Sequence, residues 1–441
     1  MPHTDLIIVG GGWAGLAAAT AALQRGLSVK LFELSAELGG RSGAFRDNNF
    51  DEWLDIGPHV FIGAYKRTFS LLDTWGSKDG IDFGDGGNIP WIYPNNRTEW
   101  LKTGDDRSKL SAFLNLLSFN SISLPDRLRT ANILRVVPDL RNLDPHTEPT
   151  VKGFLRKYGI DVRKNVFWYN LAVAVMNGAP ETVGAWPLVR ALREGLTSGG
   201  SVARIGVTRQ NFQKFFCDYA EKYLKSNGCG IFKRSSVTSV KLSESGKVKG
   251  VKLKDGECES NNVLLAVSPL DASRLLPGSV RNKKFFRTFS TFDYSPIASV
   301  HLNYSCPVLE HPFACLPGGL AEWVFGRGEQ EHGGWSRVNT VTSASPGMSE
   351  ISRDEFLDRV ILDLAERLPK AKPEIITEAR LVRSKRATVI LKPGSDLIRP
   401  EAVTPTDGLF IAGDWCGTGL PATIESAARS GWDAVQQIRK Q

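Results

Sequence analysis

The run Leu6-Ile7-Ile8-Val9-Gly10-Gly11-Gly12-Trp13-Ala14-Gly15 decides the architecture of this chain. Its four leading apolar residues suit a strand buried on both faces of a parallel sheet, and Leu16 to Arg25 read as a helix. Between them Gly10, Gly12 and Gly15 fill the three glycine positions of G-x-G-x-x-G. That spacing allows a tight turn, close approach of backbone to a pyrophosphate, and close helix packing. Trp13 and Ala14 complete the loop, and the free N–H groups of the helix start favour an anion there. After Gly26 a second apolar run, Val29 to Phe32, ends in Glu33. A carboxylate in that place can accept hydrogen bonds from ribose hydroxyls and would meet a 2′-phosphate badly. Strand, helix, strand and terminal acid in register predict a dinucleotide-binding α/β unit.

At about 150 residues per domain, 441 residues suggest two or three domains. Hydrophobic residues at 41% and charged residues at 23% exclude a wholly disordered, collagen-like or polytopic membrane chain. The net charge of +8 comes without a Lys/Arg block, so no nucleic-acid partner is expected, and a basic face could meet an anionic membrane surface. Six scattered cysteines (Cys217, Cys229, Cys258, Cys306, Cys315, Cys416) form no CxxC, which argues against a metal site or a disulfide framework. The N-terminus enters an apolar strand at once, without the basic and cleavage regions of a signal peptide. A cytoplasmic location follows as the expectation.

Six residues beyond Glu33 a second glycine turn, Gly39-Gly40-Arg41-Ser42, offers a guanidinium able to fork onto phosphate oxygens. Near the far end Gly408 to Ala412 reads as a strand stopping at Gly413-Asp414-Trp415, followed by a helix from about Ala422 through Ser430. The set resembles, nearly end to end, the FAD-dependent amine oxidase and carotenoid desaturase superfamily. That resemblance implies one FAD held by the first glycine loop, by Gly40 and Arg41, and by Gly413 and Asp414, the last near the ribityl-pyrophosphate region. It implies a contact of Val237 with the adenine, and a helix opening at Thr423 and Ile424 that aims N–H groups at the flavin C2 carbonyl, where its dipole stabilises the reduced flavin. The implied fold is α/β, a discontinuous Rossmann-type FAD-binding domain (1–75, 205–275 and 380–441) with an inserted α+β substrate domain (76–204 and 276–379).

Three stretches narrow the resemblance. Asp55-Ile56-Gly57-Pro58-His59-Val60-Phe61-Ile62-Gly63-Ala64-Tyr65 is similar to the G-x-H-x-x-x-G-A-Y segment of hydroxysqualene dehydroxylases and plant-type carotenoid desaturases. Lys385-Arg386-Ala387-Thr388 and Thr418-Gly419-Leu420-Pro421-Ala422-Thr423-Ile424-Glu425 are similar to the dehydroxylases. The departures are Ile56 and Pro58, where the pattern has Asn and Gln. The resemblance implies an FAD-dependent oxidoreductase of isoprenoid biosynthesis acting on a long apolar isoprenoid, with hydroxysqualene converted to squalene. Carotenoid desaturation is the alternative and amine oxidation the third reading. Removing an allylic hydroxyl needs an acid, a dry channel and orientation. His59 is the first candidate acid, since an unperturbed imidazole titrates near 6.5; a loop-bracing histidine is its ordinary reading. Tyr65 is the second catalytic candidate. Cys416 follows the Gly-Asp turn, but the covalent flavin attachment motif is absent.

No second G-x-G-x-x-G follows a later strand, so the electron donor or acceptor is a partner or a nucleotide bound without that fingerprint. The uncharged stretch from Leu110 to Pro125 is 16 residues, too short to span a bilayer. Asp126-Arg127-Leu128-Arg129 and Ile133-Leu134-Arg135 follow it, mixing apolar and cationic residues as an interfacial segment does. This reads as a helix on the substrate domain, or as a peripheral contact with the cytoplasmic face of a membrane; both hold if the helix borders a channel opening toward lipid.

Overall fold

The computed structural model describes residues 4–83, 88–102, 115, 118–197, 204–344 and 350–439. Five short strands build a wholly parallel sheet in the order Gly230–Phe232, Val29–Phe32, Leu6–Val9, Val263–Leu265 and Leu409–Ile411. Leu6, Ile7, Ile8, Leu31, Val263 and Leu264 have no accessible surface, as strands covered on both faces require. The helix Trp13–Gln24 follows the first strand and packs on the C-terminal helix Ile424–Gln436. Their backbones touch, because a Cβ on Gly431 would lie 1.9 Å from the Ala14 carbonyl oxygen. An antiparallel meander, Val237–Leu242, Val248–Leu253 and Gly256–Glu259, completes this α/β layer.

The second layer is a mixed seven-stranded sheet. Its order is Ile376–Val389, Tyr294–Tyr304, Arg337–Ser343, Trp323–Arg327, Phe313–Cys315, Ile89–Tyr93 and Arg97–Leu101. Strand alternation divides its residues. Ala298, Val300, Leu302, Val324 and Val338 pack on Phe356, Val360 and Leu364 of the helix Arg353–Arg367. The opposite face turns Trp91, Phe313, Cys315 and Phe325 toward Phe119, Ile122 and Val207, with Val60 and Phe167 packed alongside. The helices Val151–Lys157, Val166–Met176 and Ala185–Thr197 share a core with the parallel sheet.

The inserted α+β unit is therefore a sheet backed by one helix and approached by others. The expected boundary between residues 379 and 380 falls inside the strand Ile376–Val389, which pairs with Tyr294–Tyr304 along its length. A cut there would sever a continuous ladder, so the strand belongs whole to the seven-stranded sheet. Of the stretch 110–125, residues 110–114 and 116–117 lie outside the described residues. Phe119 and Ile122 are buried, and a helix Leu124–Val136 begins within the stretch, capped by the Ser123 hydroxyl accepting from Asp126 N–H.

Candidate active site

The first glycine loop is shaped by what cannot stand in it. A Cβ on Gly10, whose φ is +106°, would lie 2.4 Å from Ala266 O, and one on Gly15 would lie 1.9 Å from Gly10 O. At Gly12 a Cβ would meet nothing closer than 3.8 Å, so that glycine faces open space. Gly12 is also the N-cap of the first helix, which has no side-chain cap and no acid in its first turn. Its leading N–H groups are left for an anion. Glu33 is fixed beside them, one oxygen accepting from Gly11 N–H at 2.6 Å and the other from Ser35 N–H at 2.7 Å. The second glycine turn closes the cradle: Gly39 N–H donates to Gly11 O at 2.9 Å, and Gly40 takes φ +58°. Val237 reaches this end because Arg234 and Ser235 donate to Ser35 O and Glu33 O, 2.9 Å each, just before it.

The Trp13 ring stacks on Phe216 at 4.5 Å and packs against Trp75 at 5.5 Å. Arg41, with a side chain 42% exposed, is engaged within the fold. It donates to Asp414 Oδ1 at 2.6 Å and to Ala387 O at 2.8 Å, joining the second glycine turn to the Gly-Asp turn.

The Gly-Asp turn is held from within. Gly413 N–H donates to Ser430 Oγ at 2.8 Å, and the buried Arg399 donates to Leu420 O at 2.8 Å and Asp414 O at 3.1 Å. Thr423 caps the helix that opens at Ile424, accepting from Ser426 N–H at 3.3 Å. The helix runs six residues beyond the expected Ser430, to Gln436. Cys416 is buried among these groups, and burial pushes its thiol well above the ordinary range, which makes it inert.

Glu425, quoted in the sequence and given no role there, carries a structural one. Its buried carboxylate accepts from Arg67 N–H at 3.0 Å, Thr68 N–H at 2.9 Å and the Thr68 hydroxyl at 2.8 Å, capping the helix Lys66–Trp75 from 357 residues away. Arg399 likewise escaped the sequence reading. A lone acid in a helix first turn and a lone arginine before a proline are ordinary surface patterns, and only folding shows them buried.

His59 sits in the loop between the strand Glu52–Asp55 and Phe61–Ile62, its Nδ1 3.0 Å from Gly57 O and its Nε2 3.1 Å from Ser42 Oγ. Burial pulls its pKa down to about 4. At neutral pH the imidazole is therefore uncharged, with Nδ1–H given to the carbonyl and Nε2 accepting from the serine. The reason for choosing it as an acid, an unperturbed pKa, does not survive folding. Tyr65 hydrogen-bonds Thr423, and burial with Glu425 nearby keeps its phenol neutral.

Two carboxyls stand out instead, Asp55 buried and Glu322 partly buried. Asp55 accepts from Phe212 N–H at 2.7 Å and lies 3.3 Å from Arg327; desolvation lifts it to about 6 against the pull of that cation. Glu322, at the entrance to the strand Trp323–Arg327, accepts from Ser343 N–H at 2.9 Å and is lifted by burial to about 7. Among the described residues no group of three His, Cys, Asp or Glu side chains could hold a metal.

An uncapped helix start, a glycine open to a ligand, a fixed acid and two interlocked turns fit the dinucleotide of an FAD. The comparisons agree. Residues 13–439 match the flavin containing amine oxidoreductase family. A hydroxysqualene dehydroxylase of Sinorhizobium fredii is 27% identical over 96% of this chain and 95% of its own. Another, of Zymomonas mobilis, is 26% identical over 97% of each. A 15-cis-phytoene desaturase of Solanum lycopersicum is 22% identical, over 98% of this chain and 77% of its own. Among solved structures an oxidoreductase from Methanosarcina mazei superposes with a TM-score of 0.75 at 13% identity, covering 98% of this chain and 100% of its own. A putrescine oxidase superposes at 0.71 with 17% identity, covering 99% of both chains. The cradle and these likenesses together place the chain in the flavin containing amine oxidoreductase family, as an FAD-dependent oxidoreductase.

Proposed function

We propose that this enzyme removes the hydroxyl of a long allylic isoprenoid alcohol, hydroxysqualene by first choice, and replaces it with hydrogen. The observation that carries the reading is near full-length similarity to three hydroxysqualene dehydroxylases at 26–27% identity. Bound reduced flavin supplies the hydride such a reaction consumes. The chain supplies the rest. Gly10, Gly12 and Gly15 with Glu33 hold the dinucleotide, and the Thr423-capped helix lends its positive end to the flavin. Trp91, Phe313, Phe325 and their neighbours give an apolar sheet face of the kind a hydrocarbon chain needs, leading past Val60 to the His59 loop.

Carotenoid desaturation is the second reading, favoured by the 22–24% identity to phytoene and zeta-carotene desaturases and by the departures at Ile56 and Pro58. It would run electrons the other way, from substrate to flavin. Anaerobic mixing separates the two. Reduced enzyme should be oxidised by hydroxysqualene in a single turnover, with squalene found by mass spectrometry. If reduced enzyme leaves hydroxysqualene untouched while oxidised enzyme, given a quinone, introduces double bonds into phytoene, the desaturase reading replaces the first.

An apolar substrate resides in lipid, and we propose that the helix Leu124–Val136 meets the membrane surface. Leu124 and Leu128 are 57% and 51% exposed, one helical turn apart, with Arg129 and Arg135 exposed near them. No described helix is long and apolar enough to cross a membrane.

A further inference from the structure

The strand Trp323–Arg327 lays Trp323, Phe325 and Arg327 on one face of the seven-stranded sheet, because side chains alternate along a strand. The first two belong to the apolar cluster that takes in Val60, the neighbour of His59. Arg327 ends the row as a cation, directly opposite Arg337 on the next strand. Like charges so placed repel, and each takes an acid from the strand Glu52–Asp55. Arg337 pairs with Glu52 at 2.7 Å in the open, where an ion pair adds little. Arg327 lies 3.3 Å from Asp55 in the interior, the two side chains 13% and 2% exposed.

Arg327 reaches both flanks of the His59 loop. At the entrance it faces the carboxylate of Asp55, which also accepts from Phe212 N–H at 2.7 Å and whose carbonyl accepts from His301 Nε2 at 2.9 Å. At the exit its Nη1 donates to Thr208 O at 2.9 Å, on the strand Ile205–Thr208 that pairs with Phe61–Ile62. Between these anchors the loop meets the second glycine turn and the residue after it. Ile56 N–H donates to Gly43 O at 3.0 Å, and His59 Nε2 accepts from Ser42 Oγ at 3.1 Å. The Phe212 ring stands edge-on to His59 at 5.4 Å. The Nε and Nη2 groups of Arg327 have no hydrogen-bond acceptor. A buried cation so incompletely satisfied is a poor source of stability, and the grip on two flanks of one loop accounts for its presence. A cavity of about 790 Å³, lined by Asp55, His301 and Arg327 and by the exposed Lys214 and Glu329, brings water to this cluster.

We propose that Arg327 is the positioning residue of the His59 loop, holding its entrance and exit at once and so fixing it against the second glycine turn of the flavin cradle. The strand that carries Arg327 also carries Phe325 of the apolar face, so that face and the loop keep one spacing.

Hydrogen exchange of the FAD-loaded protein is the first test. The amides of Ile56 and Gly63, hydrogen-bonded at the two ends of the loop, should exchange about tenfold faster in Arg327→Ala, with those of the strand Leu6–Val9 unchanged. Arg337→Ala, which loses only the open pair, should exchange as wild type does. Anaerobic single turnover of reduced enzyme with hydroxysqualene is the second test, and it rests on the dehydroxylation reading. In Arg327→Ala the rate at saturation should fall roughly 10²-fold with little change in the half-saturating concentration, since a displaced loop costs orientation and not hydrocarbon contact. Arg327→Lys, able to serve one anchor, should fall between, and methylguanidine entering by the cavity should restore part of the Arg327→Ala rate. Should Arg327→Ala fail to fold, Asp55→Asn, which keeps the side-chain shape, carries the same two tests with a smaller effect. Wild-type exchange at Ile56 and Gly63 in the variants overturns the assignment, as does faster exchange with an unchanged saturating rate. Wild-type enzyme that forms no squalene removes the dehydroxylation reading instead, and the exchange result alone then decides for or against Arg327.

Discussion

Replacing Gly12 by valine puts a branched side chain into the open space above the helix start, where the protein offers no contact within 3.8 Å. The expected outcome is a folded, colourless protein, because the added methyl groups take the volume the pyrophosphate needs while the Cβ meets no backbone closer than 3.8 Å. Gly15→Ala should behave differently: its Cβ would lie 1.9 Å from Gly10 O, so the loop itself must break. Flavin absorbance and circular dichroism of the two variants separate a blocked site from a damaged fold. The histidines give a second test at this scale. Both His59 and His301 titrate lower in the fold, about 4 and about 3, than the 6.5 or so of an unfolded chain. The stability they contribute is therefore complete above about 6.5 and is lost as pH falls toward about 4 for His59 and about 3 for His301. Urea midpoints measured at falling pH should drop, and His301→Gln should flatten part of that slope. The glycine positions were legible in the sequence because their spacing is local. The titration of His59 was not, because desolvation comes from Phe212 and other residues far along the chain.

The helices show how much one element depends on another. Lys66–Trp75 begins after Tyr65, a residue with no capping side chain of its own, and takes its cap from Glu425. Glu425→Ala leaves the Arg67 and Thr68 N–H groups and the Thr68 hydroxyl without their acceptor, while Arg429 keeps its pair with Glu194; the loss is about 1–3 kcal/mol for each buried group left unpaired. Denaturant unfolding should show that loss, with Glu425→Gln intermediate because it keeps the shape and part of the hydrogen bonding. The helix Leu124–Val136 makes a separate prediction. Binding of the holoenzyme to anionic vesicles should weaken as salt rises, since the attraction is screened within about 8 Å at physiological ionic strength. Leu124→Ser with Leu128→Ser should weaken it further at every salt concentration; equal binding by wild type and variant would leave the helix without a membrane role. Composition and charge pattern placed this helix near its observed position, whereas the cap supplied by Glu425 had no local trace.

Across the whole molecule the parallel sheet was readable and the mixed sheet was not. Each strand of the first is a short apolar run announced by its own residues. The second sheet pairs Tyr294–Tyr304 with Ile376–Val389 on one edge and brings Ile89–Tyr93 beside Phe313–Cys315. No local pattern specifies partners so distant, and only burial of one face selects them. Arg41 and Asp414, 373 residues apart, meet for the same reason. The same guanidinium also grips Ala387 O, near the end of the 14-residue strand Ile376–Val389. One arginine thus fastens the longest strand of the substrate sheet to both turns of the flavin cradle, as a pin joins a lever to its mount. Stiffness should travel along that strand: loading apoprotein with FAD should slow amide hydrogen exchange in Ile376–Val389, far beyond the residues that face the cofactor. In Arg41→Met the strand should exchange at its unloaded rate even when flavin is bound.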